Sequence, residues 1–185
     1  HPDKHFANSL GPTNPEFRQT YERWKKFAYD LELPLTLGLG EKTPLSFSQV
    51  VRASNALVTT SVAEGFGLGF LEPWTFGKAV LGRDLPEITR DFKASGLSLS
   101  HLYKSLELPL ELLHDEHELE ERISSALEKL YQAYSLPLPS GATLRTRASI
   151  VHNDCVEFGR LDESLQEILI SEVTSSKSLA LSSTV

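Results

Sequence analysis

The first apolar pattern along the chain has the spacing of an amphipathic helix. Apolar residues recur at alternating steps of four and three positions, at Phe17, Tyr21, Trp24, Ala28 and Leu31. This spacing places all of them on one face of a helix. Asn14 is a typical N-cap residue, and Pro15 suits the first helical position. The pattern therefore predicts a helix that begins near Pro15.

Three short apolar runs predict buried strands. They span residues 33–39, 56–60 and 78–82. A run that is apolar at nearly every position is typical of a strand covered on both faces, as in a parallel sheet. Ser46 and Gln49 form a capping box for a helix between the first two runs, and a further helix is predicted from about Leu68. Strands that alternate with helices indicate an α/β fold with a Rossmann-like, doubly wound parallel sheet.

The second half of the chain is predicted to be mainly helical. Asp115 and Glu118 cap a helix whose apolar stripe comprises Leu119, Ile123, Leu127, Leu130 and Tyr134. A final helix is indicated by Leu161, Leu165, Ile168 and Leu169. The segment from Thr174 is rich in serine, which is typical of a mobile terminus. We therefore predict one domain over residues 1–172 and a mobile tail over residues 173–185.

Length, charge and cysteine content narrow the class of protein. The chain has 185 residues and a net charge of −7, which argues against a nucleic-acid binder with a basic face. Its single cysteine, Cys155, cannot form an internal disulfide, so we expect a reducing, cytoplasmic compartment. No run of 18 apolar residues is present, so no transmembrane segment is expected. The absence of methionine suggests part of a larger protein.

The segment between the second and third predicted strands offers the clearest candidate chemistry. Glu64 and Glu72, eight positions apart, bracket a loop with glycines at 65 and 67. Ligands of parallel sheets bind beyond the carboxyl ends of the strands, where this loop lies. The amides of residues 66–68, at the start of a helix, would face an anion. On the pattern alone, an ordinary glycine turn with solvated glutamates is about equally favoured.

An ordered series of motifs resembles the carboxy-terminal, donor-binding domain of retaining glycosyltransferases of the GT-B architecture. The series comprises the helix-to-strand segment 51–58, Glu64-x7-Glu72, and the segments 77–80 and 84–88. The similarity covers roughly residues 15–92, about half of the chain. It implies that the chain forms one half of a GT-B enzyme, a transferase of the hexosyltransferase type.

The resemblance also implies an activity and a set of site residues. A sugar would pass from a nucleoside diphosphate sugar to an acceptor hydroxyl with its anomeric configuration retained. Glu64 would be the catalytic residue facing the donor sugar, and Glu72 would hold the ribose hydroxyls. The implied substrate-binding residues are Ser61, Glu64, Gly65, Phe66, Gly67, Leu68 and Glu72. Neither a metal nor a cofactor is implied.

The acceptor would be bound by an amino-terminal domain of the same protein, so the isolated chain is expected to be inactive. Three features depart from the family pattern, one of which is that residues 93–185 resemble it only loosely. Pro73 follows Glu72 inside the predicted helix, where it removes a backbone donor. The Arg and Lys that this family places against the diphosphate would lie upstream of residue 1. A non-catalytic nucleotide-sugar-binding or interaction module of the same fold is the alternative function.

Other motifs in the sequence are weaker. The glycine loop lacks the third glycine of the dinucleotide fingerprint. Residues 38–43 resemble the end of a phosphate-binding loop, but Glu41 replaces a required glycine. The acidic and histidine cluster at 114–118 lacks a second ligand group of matching spacing, so a charged helix start is favoured over a metal site. Cys155 has no identifiable activating partner and is interpreted as structural or incidental.

Overall fold

A computed structural model describes the backbone of residues 4–182 and the side chains up to residue 176. The chain divides between Leu102 and Tyr103 into two compact units. Each unit has its own cluster of buried apolar side chains. The residue pattern did not predict this boundary, which falls within the domain expected over residues 1–172.

The first unit alternates strands and helices. Its elements in chain order are β1 (Phe6–Ala7), α1 (Arg18–Asp30), β2 (Leu35–Thr36), α2 (Leu39–Lys42), α3 (Phe47–Ala53), β3 (Ala56–Thr59), α4 (Leu68–Thr75), β4 (Ala79–Arg83) and α5 (Pro86–Ala94). A further strand, β5 (Leu102–Tyr103), lies at the boundary. The predicted helix start is confirmed, because the Asn14 side chain accepts a hydrogen bond from the Glu16 amide and Pro15 opens a 3-10 turn that leads into α1. The capping box of Ser46 and Gln49 also forms as predicted.

Strands β3 and β4 form the parallel pair that positions the candidate loop. Their register runs from Ala56 opposite Ala79 to Thr59 opposite Gly82, and β5 follows β4 in the sheet. Gly82 has a φ of 131°, and a Cβ at this position would lie 1.8 Å from the Thr59 carbonyl oxygen. Only glycine therefore fits at this point of the sheet. The mixed α/β class with parallel strands is confirmed, and it is compatible with a Rossmann-like fold.

Helices α4 and α5 pack on one face of this sheet. The buried cluster there consists of Phe70, Val80, Leu85, Leu99 and Leu102, with Trp74, Ile88 and Phe92 packed against it. On the opposite face Val58 is 48% exposed and Leu81 is 42% exposed. In the part of the chain that the structure describes, the sheet is thus buried well on one face only. The predicted burial of these strands on both faces is not observed.

The strand predicted over residues 33–39 is wrong in extent and in partner. Only Leu35–Thr36 is a strand, and it pairs in parallel with β1 in a separate two-stranded sheet. Gly38 adopts a φ of +66° and begins α2, so the backbone turns before the apolar run ends. Most side chains of this run are half-buried, and the run does not extend the sheet of β3 and β4.

The second unit combines helices with an antiparallel sheet. Its elements are β6 (Glu107–Pro109), α6 (Glu116–Ala133), α7 (Ala142–Ile150), β7 (Val151–His152), β8 (Cys155–Glu157) and α8 (Glu163–Ser182). The sheet order is β6-β8-β7. Asp115 caps α6 as predicted, since its side chain accepts from the amides of His117 and Glu118. Leu119 and Ile123, at the amino-terminal end of the predicted α6 stripe, are buried, whereas Leu130 and Tyr134 at its other end are exposed.

The segment predicted as a serine-rich tail is largely helical. Helix α8 begins at Glu163 and continues to Ser182, and residues 183–185 lie outside the described residues. Within residues 4–182, no helix combines the length and apolar character needed to cross a membrane.

Candidate functional site

The candidate loop, residues 60–67, connects the carboxyl end of β3 to the first turn of α4. Gly67 is the N-cap residue of α4 and has a φ of +67°. A Cβ on Gly67 would lie 2.3 Å from Cγ2 of Ile88 in α5. Glycine is thus required here both by the backbone conformation and by the close approach of α5. The helix begins where the sequence predicts it.

Glu64 is half-buried and held beside the start of α4. The Ser61 hydroxyl donates a hydrogen bond to Oε1 of Glu64 at 3.1 Å. A Cβ built on Gly69 would lie 3.7 Å from the same oxygen and 3.9 Å from Oγ1 of Thr59. The carboxylate therefore lies against the first turn of α4, where the helix dipole favours negative charge. Gly69 is a neighbour of the carboxylate that sequence reasoning missed.

Glu72 lies in the second turn of α4 and is exposed. Helical residues three apart are neighbours on the surface, so Glu72 shares a face with Gly69 and thus with the Glu64 carboxylate. Among the described residues its carboxylate has no hydrogen-bond or ion-pair partner, although its backbone carbonyl accepts from Thr75. The adjacent Pro73 is buried, and α4 continues beyond it to Thr75. The proline therefore does not end the helix that carries Glu72.

The other predicted site residues, Gly65 to Leu68, lie between the two glutamates in sequence. Apart from its two chain neighbours, no residue has an atom within 4 Å of a Cβ built on Gly65, and the Phe66 side chain is 89% exposed. Within residues 4–182 the amides of Phe66, Gly67 and Leu68 donate no hydrogen bond to the protein. Three free amides at a helix start can bind an anion.

The rival loop over residues 38–43 does not offer such amides. The amide of Leu39 donates to the Asn8 carbonyl at 2.9 Å, and that of Gly40 donates to the Ser9 carbonyl at 2.7 Å. A Cβ on Gly40 would lie 2.8 Å from the same Ser9 oxygen. The glycine thus permits packing of one loop on another, and the first amides of α2 are already used. Of these two loops, the one at 60–67 is therefore the better candidate for binding an anion.

The charged cluster at residues 114–118 is explained by the cap and ion pairs of α6. Asp115 caps the helix, Glu116 pairs with Arg147, and Glu118 pairs with Arg122. His114 lies 3.2 Å from a carboxylate oxygen of Glu172. In the described residues, no group of three or more His, Cys, Asp or Glu side chains is placed to hold a metal ion.

The segment around Cys155 is a β-hairpin. Asn153 and Asp154 both have positive φ, at 48° and 58°, and they connect β7 to β8. Two-residue turns of this type require positive φ at both central positions, which Asn and Asp tolerate. Cys155 pairs with His152 across the turn as a strand residue. The Asn-Asp pair between two short apolar runs was the signal for this hairpin, and sequence reasoning missed it.

No family model, curated protein or solved structure matches the chain.

Proposed function

We propose that this chain is the donor-binding half of a retaining glycosyltransferase and binds a nucleoside diphosphate sugar at residues 61–72. One observation carries the proposal. Glu64, hydrogen-bonded by Ser61, lies in the loop at the carboxyl end of a parallel strand, and the three amides that lead into α4 in the same loop donate no hydrogen bond within residues 4–182. A carboxylate and free amides at one edge can bind sugar hydroxyls and a phosphate side by side.

The chemistry of transfer gives each group a role. Cleavage of the bond between sugar and phosphate develops positive charge on the sugar and negative charge on the leaving diphosphate. The amides of residues 66–68 would donate to the diphosphate as its charge grows. Glu64 would face the sugar, and Glu72 would accept hydrogen bonds from the ribose hydroxyls. Because the acceptor would be bound by another domain, the test for this chain is binding, and transfer by the chain alone is not expected.

The binding site can be located by amide chemical shifts. The chain is titrated with UDP-glucose, GDP-mannose and ADP-glucose, and with UDP, GDP and ADP alone. We expect one nucleotide series to shift amides concentrated in residues 61–72. Shifts concentrated at residues 114–118 would contradict the assignment.

Two substitutions separate the roles of the glutamates. Glu72→Ala should weaken the free nucleoside diphosphate about tenfold or more, because it removes hydrogen bonds to a charged group worth about 1.5–3 kcal/mol. Glu64→Ala should weaken only the nucleotide sugar. Glu128→Ala, which removes an exposed helical carboxylate in the second unit, is the control and should change neither affinity. Equal losses of free-nucleotide affinity in the two variants, measured by calorimetry, would contradict this division.

One feature supports the alternative of a non-catalytic binding module. Residues 60–72 contain two carboxylates and no Lys or Arg, so this segment provides no cation for a diphosphate. The same chain, extended upstream through a complete amino-terminal domain, distinguishes the two functions. A transferase should form product from the donor that binds, whereas a module should bind the donor without turnover.

A further inference from the structure

The Ser61 hydroxyl is directed at a protein group. Its proton is donated to Oε1 of Glu64 at 3.1 Å, and both residues are half-buried. We propose that Ser61 is a positioning residue that acts on the donor sugar through Glu64 and does not contact the ligand itself. This inference rests on the proposed function, because it concerns how Glu64 is presented to a nucleotide sugar.

The loop around Glu64 supplies little other restraint. Apart from its two chain neighbours, no residue has an atom within 4 Å of the Cβ position of Gly65, and the next residue, Phe66, is exposed. A glutamate side chain has three rotatable torsions, so a carboxylate on such a loop would sample several directions. The bond from Ser61 selects one of them. In the described residues, Ser61 is the one hydrogen-bond donor to this carboxylate.

The same bond divides the two carboxylate oxygens between protein and ligand. Oε1 accepts from Ser61 and lies against Gly69, where a Cβ would be 3.7 Å away. Oε2 accepts no hydrogen bond within residues 4–182. A carboxylate with one oxygen fixed by the protein and one free can direct its remaining lone pairs to a sugar hydroxyl.

The chain offers matched variants for a test. Ser61→Ala removes the hydroxyl, and Ser61→Thr retains it. Ser54→Ala is the control, because Ser54 is also half-buried and donates a hydrogen bond to a group three residues away, the Val51 carbonyl, at 2.8 Å. The fourth variant is the double substitution of Ser61 and Glu64 by alanine.

Affinities are measured by calorimetry with UDP-glucose, GDP-mannose and ADP-glucose, each beside its free nucleoside diphosphate. We expect Ser61→Ala to weaken the bound nucleotide sugar roughly three- to tenfold and to leave the free diphosphate unchanged. Ser61→Thr, which keeps the hydroxyl, should retain wild-type affinity, and Ser54→Ala should not alter it. Because Ser61 acts through Glu64, Ser61→Ala should have no further effect in the Glu64→Ala background.

The other outcomes overturn the proposal in distinguishable ways. If Ser61→Ala weakens nucleotide-sugar binding by the same factor in the Glu64→Ala background as in the wild-type chain, Ser61 contacts the ligand directly. If Ser61→Ala loses affinity equally for the nucleotide sugar and the free diphosphate, Ser61 supports the structure of the loop and does not position Glu64. Wild-type affinity in Ser61→Ala would show that the hydrogen bond does not position Glu64. If none of the six compounds binds the wild-type chain, the proposed function itself fails.

A measurement without ligand completes the test. Side-chain coupling constants of Glu64 should report one χ1 rotamer in the wild-type chain and averaging in Ser61→Ala, with no change in Ser54→Ala. An averaged Glu64 side chain in the wild-type chain would overturn the positioning role even if nucleotide sugars bind.

Discussion

At the scale of single residues, position 82 has the strictest requirement for glycine in the first unit. An added Cβ would lie 1.8 Å from the Thr59 carbonyl, and φ is 131°. Gly82→Ala combines a clash with backbone strain, so we expect it to lower the free energy of unfolding by more than about 3 kcal/mol. Gly65→Ala is the control, because its Cβ position is open and its φ is not positive. It should change stability by less than about 1 kcal/mol, as measured by urea unfolding. Similar losses of unfolding free energy in Gly82→Ala and Gly65→Ala would contradict the close approach of position 82 to Thr59.

Residue patterns predicted the place of the candidate site better than its contacts. Glycines at 65 and 67 between a buried run and a helix start were enough to predict a loop at a strand end. The requirement for Gly67 depends on Ile88, which is distant in sequence and reaches the loop only through the packing of α5. The bond from Ser61 to Glu64 depends on side-chain rotamers, which no sequence period reports. The carboxylate's proximity to Gly69, five positions along the chain, depends on the same side-chain rotamer.

At the scale of elements, α6 offers a direct test of a predicted cap. The Asp115 side chain accepts from the amides of His117 and Glu118 at 2.8 Å and 3.2 Å. Asp115→Ala should lower the stability of the second unit by about 1 kcal/mol, because two amides of the first turn lose their acceptor. Asp115→Asn keeps the acceptor and should lose only the charge interaction with the helix, worth about 0.3–1 kcal/mol. Urea unfolding followed by far-UV circular dichroism measures both variants. Equal losses of stability in the two variants would show that Asp115 stabilises α6 through its charge alone.

Elements with local signals were predictable, and elements defined by a distant partner were not. The starts of α1, α3, α4 and α6 follow from caps and apolar spacing within a few residues. The run at 33–39 has the composition of a buried strand, but its strand length and partner depend on β1, some thirty positions earlier. The serine-rich composition after Thr174 predicted a mobile tail and not a helix, whereas α8 continues past Thr174 to Ser182; the mobility of this segment stays a prediction.

At the scale of the whole molecule, the division into two units predicts that unfolding is not a single transition. Leu169, fully buried, belongs to the core of the second unit, and Phe70, fully buried, belongs to that of the first. Because each core is confined to its own unit, a cavity in one core should lower the stability of that unit first. Leu169→Ala and Phe70→Ala should each cost about 2–5 kcal/mol.

Hydrogen exchange followed by mass spectrometry resolves the two units within one chain. In Leu169→Ala the amides of α6 and β8 should lose protection by about the full cost of the cavity, while β3, β4 and α4 change little. Phe70→Ala should give the reverse pattern. Leu144→Ala, at a side chain that is 69% exposed, is the control and should change protection in neither unit. Loss of protection across both units in either core variant would mean that the chain unfolds as one cooperative body. In that case a nucleotide bound at residues 61–72 would stabilise the second unit as strongly as the first.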